Sequence, residues 1–105
     1  MTNTEAKKNA DPTKQARRAC CVLVDHFAYL TDAQIDTLIE AVVADAYAAY
    51  MVLRYCRTGL TDAQASTLID AVVEDAWYAR CTIRRCKAGL TKAEVRRLKA
   101  AGKQN

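Results

Sequence analysis

His26 and the five cysteines, Cys20, Cys21, Cys56, Cys81 and Cys86, are the residues of this 105-residue chain with the chemistry for nucleophilic catalysis or metal binding. An imidazole that takes a thiol proton makes a thiolate nucleophile, and a thirty-residue register sets Cys86 level with His26 on a parallel helix. Both fall in the last turn of a helix, where the negative dipole end raises a thiol pKa, and no third group orients the imidazole or supplies an oxyanion site. Zinc fares no better. Cys21 to His26 and Cys81 to Cys86 are each five apart, which turns the side chains away from one another, whereas convergent helical ligands stand three or four apart. There is no C-x-x-C pair and no Glu-x-x-His pair. The expectation is a non-enzymatic protein with no cofactor, no metal and no evident small-molecule substrate, its thiols reduced and used as small hydrophobes.

Two further sets carry binding chemistry. Arg84, Arg85, Lys92, Arg96, Arg97, Lys99 and Lys103 crowd the end of the chain, and Lys92, Arg96, Lys99 and Lys103 step by four, three and four along one helix face. That spacing suits phosphates or the carboxylates of an acidic partner. Tyr47, Tyr50, Met51, Tyr55, Trp77 and Tyr78 are of the types enriched at the centres of protein interfaces. The apolar surface between Leu38 and Tyr55 exceeds what two neighbours along one seam would cover, so something further is expected to pack there. These sets favour a protein-interaction module: a self-assembling subunit, or an adaptor or inhibitor that docks on a larger protein through this aromatic and apolar face. Nucleic-acid binding through the basic C-terminal region is the alternative. A helix-turn-helix does not fit, because the helices flanking each turn are too long for that unit.

The elements that position these groups are set by repeated punctuation. Leu30-Thr31-Asp32-Ala33-Gln34 returns as Leu60-Thr61-Asp62-Ala63-Gln64 and, altered, as Leu90-Thr91-Lys92-Ala93-Glu94. A threonine followed three residues on by Gln or Glu is a capping box, and the leucine before it can act as a hydrophobic staple. Residues 30–59 and 60–89 agree at 17 of 30 positions, which marks an internal duplication. Apolar residues recur at steps of three and four from Ile35 to Cys56, and from Ala65 to Cys86. The prediction is an all-α antiparallel bundle of three long helices near 13–28, 32–57 and 62–87, with a short basic helix near 92–101 that reads as a truncated copy. Residues 1–12 form a polar arm, and 13–105 a single domain. Gly59, after the second helix, is expected to take the left-handed conformation of a helix stop.

The net charge of +4 conceals segregation: +3 over residues 1–18, −7 over 19–79 and +8 over 80–105. In an up-down-up bundle, Asp32, Asp36 and Glu40 are expected beside Arg80, Arg84, Arg85 and Lys87, and the acids of 62–75 beside Arg17, Arg18, Arg54 and Arg57. No secretory signal and no membrane-length apolar run is present. A cytoplasmic protein without membrane partners is expected.

Overall fold

Thr31, Thr61 and Thr91 each start a helix by a reciprocal cap. Each hydroxyl accepts from the backbone N–H of the third residue on at 3.1 Å. That residue, Gln34, Gln64 or Glu94, returns a side-chain oxygen to the threonine N–H at 2.9, 2.9 and 2.8 Å. Two of the N–H groups that a helix start leaves without partners are satisfied each time. Asp11 opens the first helix in a related way, its carboxylate accepting from the Thr13 and Lys14 N–H groups with Pro12 in the first position.

The computed structural model describes residues 11–86 and 89–103, and the described residues are all-helical. Six α-helices follow one another: α1 (Pro12–His26), α2 (Asp32–Val42), α3 (Ala46–Cys56), α4 (Asp62–Val72), α5 (Ala76–Cys86) and α6 (Lys92–Gly102). Short 3₁₀ turns at Phe27–Tyr29 and Arg57–Gly59 follow α1 and α3. Of the expected polar arm, only Asp11 and Pro12 lie within the described residues.

The long helices expected over 32–57 and 62–87 are each broken in two. Asp45 Oδ2 accepts from the Ala48 N–H at 3.1 Å, and Asp75 Oδ1 accepts from Trp77 and Tyr78 N–H at 2.9 and 3.2 Å. Aspartate is a poor helix-interior residue and a strong N-cap, so each one closes the helix before it and opens the next. The segment near 92–101 is therefore not a truncated fourth long helix. It is α6, equal in length to α2 and α4.

The break changes the topology. α1 packs along α2, α3 along α4 and α5 along α6, giving three helix pairs; α1, α3 and α5 also pack side by side, as do α2, α4 and α6. The result is a front layer (α1, α3, α5) over a back layer (α2, α4, α6), in place of a three-helix bundle. Its thinnest dimension is 18 Å, close to two helix cylinders in contact at an axial spacing of about 10 Å. Between the layers lie Leu23, Leu53, Val42, Leu68, Ile69, Val72 and Leu98, all fully buried.

Neighbouring pairs are tied by polar links. Arg17 Nε reaches Asp45 Oδ2 at 3.2 Å, Gln64 Nε2 donates to Asp36 Oδ1 at 2.8 Å, Arg57 Nη2 lies 3.6 Å from Glu94 Oε1, and Arg97 pairs with Asp70. Gln64 and Glu94 thus serve both the cap of their own helix and the contact with the preceding pair. The expected pairing of Asp32, Asp36 and Glu40 with Arg80, Arg84 and Arg85 does not form, because α2 lies at one end of the back layer and α5 at the opposite end of the front; Lys87, expected with them, lies outside the described residues. Arg17 and Asp70 likewise find partners other than those expected.

Gly59 is present for a different reason from the one the sequence suggests. None of the described glycines has a positive φ. A Cβ on Gly59 would lie 2.3 Å from Phe27 Cε2, and one on Gly89 would lie 2.7 Å from Arg57 Cγ. Each pair lays the side chain at the end of its front helix across the turn of the next pair. Tyr29, at the equivalent position of the first pair, is 86% exposed, with no helix pair packed against it among the described residues.

Candidate protein-binding face

The apolar excess around α3 is covered largely from within the molecule. α3 is the central front helix and meets α1, α4 and α5, one more neighbour than a single seam provides. Tyr50 is 7% exposed and lies inside, its ring centroid 5.9 Å from that of Tyr78 on α5. Tyr47 meets the same ring edge-on at 5.6 Å. Burial raises the pKa of the Tyr78 hydroxyl, with the Asp75 carboxylate adding to the effect. Tyr50 is a packing residue between α3 and α5, while Tyr78 packs there and remains only partly buried.

Tyr47, Met51, Tyr55 and Trp77 stand differently. Tyr47 and Met51 line a groove of about 280 Å³ between α1 and α3 together with Arg17, Cys20, Cys21, Val24 and Asp25. Tyr55 and Trp77 are 54% and 58% exposed. Each of these aromatics carries a guanidinium: Arg17 lies 5.0 Å from the Tyr47 centroid, Arg54 5.0 Å from Tyr55 and Arg80 5.8 Å from Trp77. Such stacking keeps a long cationic side chain extended over the surface. Arg17, Cys21 and Arg54 did not figure among the expected site residues. Register alone would have found them, since Arg17, Tyr47 and Trp77 are thirty residues apart, as are Cys21, Met51 and Cys81, and Arg54 stands thirty residues before Arg84.

The charge that looks segregated along the sequence is sorted by layer. The front helices hold seven basic residues (Lys14, Arg17, Arg18, Arg54, Arg80, Arg84, Arg85) and one acidic residue, Asp25. The back helices hold six acidic residues (Asp32, Asp36, Glu40, Asp62, Asp70, Glu94) and four basic ones, all on α6. Arg17 is committed to Asp45, and Arg80 Nη1 donates to the Gly102 carbonyl at 2.9 Å, closing the end of α6. Among the described residues no carboxylate stands within ion-pair distance of Arg54, Arg84 or Arg85.

The basic C-terminal set divides. Lys92, Arg96 and Lys99 line one hollow on α6 with Leu90 and Val95, as their spacing requires, while Arg97 turns to the other side to meet Asp70. Lys103 follows the last turn of α6 and is exposed. Arg84 and Arg85 are exposed on α5 in the front layer, away from that hollow.

His26 and Cys86 are not brought together, because α3 lies between α1 and α5. Burial pushes the Cys20, Cys56 and Cys86 thiols from 9.0 up to about 11, which holds them protonated near neutral pH. Cys56 Sγ lies 3.6 Å from the Leu23 carbonyl, as a weak donor to it. Among the described residues no three His, Cys, Asp or Glu side chains converge as a metal site, and no helix is long and apolar enough to cross a membrane. Comparison of the chain with protein-family models, with curated proteins and with solved structures finds no match in any of the three.

Proposed function

We propose that this chain is a non-enzymatic helical-repeat binding module, built by duplication of a thirty-residue helix pair, that captures an acidic segment of a partner protein across its front layer. The observation that carries this reading is the seven-to-one excess of basic over acidic residues on α1, α3 and α5, combined with exposed Tyr55 and Trp77. Stacked helix pairs make extended surfaces of this kind, and each pair adds one row of contacts. An apolar side chain of the partner seats in the groove against Val24 and Met51, while its carboxylates meet Arg54, Arg84 and Arg85. Charge complementarity of this type raises the association rate and rejects cationic competitors.

Nucleic acid fits the front layer less well. Phosphates require a continuous basic track, whereas α3 offers Arg54 alone and the groove beside it is flanked by Asp25. Self-association by end-to-end stacking is also less favoured, because Lys92, Arg96 and Lys99 on the outer side of α6 would meet Ala33, Gln34, Thr37 and Leu38 on α2, with no carboxylate among them.

The test is fluorescence anisotropy with two labelled peptides of identical apolar content, one rich in Glu and one in Lys. The acidic peptide is expected to bind. The triple variant Arg54→Ala, Arg84→Ala, Arg85→Ala is expected to weaken it by roughly tenfold, at about 0.5 kcal/mol for each exposed charge, with an unchanged helical circular dichroism signal. Equal affinity for both peptides would sink the reading. So would preferential binding of single-stranded RNA or duplex DNA with a steep salt dependence.

A further inference from the structure

The back layer ends in a second surface that does not depend on what the front layer binds. Inside the molecule, α2 turns Asp36, Ile39 and Glu40 toward Ala63, Gln64 and Thr67 of α4, with the Gln64 amide donating to Asp36. α4 repeats the arrangement toward α6, where Asp70 takes Arg97. In both contacts a carboxylate on the leading helix meets a neutral or cationic donor on the following one.

On α6 the same side faces solvent and its chemistry is inverted. Thirty- and sixty-residue offsets place Arg96 where α2 has Asp36, and Lys99 where α2 and α4 have Ile39 and Ile69. These cations, with Lys92, rim a hollow of about 380 Å³ whose floor is Leu90 and Val95. Leu60, equivalent to Leu90 but covered on both sides, is buried, while Leu90 and Val95 are only partly covered. The floor retains the apolar character of a helix-packing surface, and the rim asks for the opposite charge from the α2–α4 and α4–α6 contacts. A second copy of this chain does not supply it, since the corresponding side of α2 offers Ala33, Gln34, Thr37 and Leu38 and no acid.

We infer that this side of α6 is the docking site for an acidic amphipathic helix of a partner protein. Such a helix lies beside α6 as α6 lies beside α4, its apolar residues on Leu90 and Val95. Carboxylates three residues apart, at the positions that Gln64 and Thr67 occupy on α4, meet Arg96 and Lys99. Charge-assisted contacts of this kind are about twice as strong as neutral ones and define the pairing.

The probe is a fluorescent peptide with the sequence of residues 61–73, held helical by a hydrocarbon staple on its outward side and carrying Gln64→Glu and Thr67→Glu, titrated with the full-length chain. It is expected to bind roughly tenfold tighter than the stapled peptide without those two changes. Arg96→Glu with Lys99→Glu in the protein should abolish that binding and transfer the preference to a peptide bearing Gln64→Lys and Thr67→Lys. Val95→Asp, which leaves the rim intact, should weaken the acidic peptide to a similar degree, and the front-layer triple variant should leave it unchanged. The inference is overturned if acidic and neutral peptides bind alike, or if the charge-reversed protein does not exchange its preference. It is also overturned if an oligonucleotide, and no peptide, binds in a manner lost on Arg96→Glu with Lys99→Glu.

Discussion

Phe27 lies so close over Gly59 that no Cβ fits between them, and it shows how one residue fixes the stacking distance. A methyl group at 59 would sit 2.3 Å from a ring carbon that is itself packed on the core, so either the ring or the turn must shift. Gly59→Ala should therefore destabilise the chain by about 1–3 kcal/mol, the range for overpacking. Gly89→Ala should cost less, because the obstructing group is the Arg57 chain, which bends more readily than a ring. The check is a double-mutant cycle in urea. Phe27→Ala removes the obstruction, so Gly59→Ala made in that background should be nearly neutral. Additive losses would mean that the glycine is needed for something other than this approach. The sequence alone points to backbone freedom here, since glycine after a helix commonly supplies it. Space for a neighbour thirty-two residues away (Phe27 to Gly59) is invisible until the pairs are stacked.

At the scale of the helix, the aspartates at 45 and 75 decide the architecture. Without them Ala-rich sequence would continue from Ile35 to Cys56 as one helix, and the front and back layers could not alternate. Asp45→Ala should lose about 1 kcal/mol from the cap alone, and more than Asp75→Ala, because Asp45 also holds Arg17 at 3.2 Å. Thermal unfolding of the two single variants and of Arg17→Ala checks the order; Asp75→Ala proving the more damaging would contradict it. The starts at Thr31, Thr61 and Thr91 are legible in sequence because a capping box occupies four adjacent residues and repeats three times. The breaks are not legible from apolar spacing. Val42 to Ala46 is still a step of four, so the periodicity runs through the turn, and neither Gly nor Pro marks it. The readable signal was the recurrence of a helix-disfavouring, cap-favouring aspartate at the same register. The candidate site followed from this: once each long helix is two, Tyr50 becomes a buried contact between front helices, Tyr47, Met51 and Tyr78 are partly covered, and Tyr55 and Trp77 stand exposed.

For the molecule as a whole, the two ends govern whether the pattern of pairs continues. At the first pair, Leu38 is partly exposed where its counterparts Leu68 and Leu98 are fully buried, and Val22 is 38% exposed where Val52 and Thr82 are fully buried. That end keeps the apolar character of an internal contact. The last pair does not: Arg80 stands where Tyr50 packs between front helices, Arg96 where Asp36 accepts from Gln64, and Lys99 where Ile39 is buried. Terminal units of stacked helical proteins require such a polar outer side to stay soluble, and heterologous contacts that do not close produce open chains. A head-to-tail contact between unmodified copies would trap three cations against Gln34, Thr37 and Leu38 with no carboxylate to meet them. Restoring the internal residues should reverse this. With Arg80→Tyr, Arg96→Asp and Lys99→Ile, the last pair presents the residues of an internal contact to the first pair of another copy, and Arg18 of the incoming copy can stack on the new ring. Sedimentation velocity should then show a ladder of species that lengthens with concentration, while the unmodified chain gives no such ladder over the same range. A ladder in both, or in neither, would mean that stacking is controlled elsewhere than at these three positions, and the inverted charge of α6 would lose its meaning as a stop to the pattern.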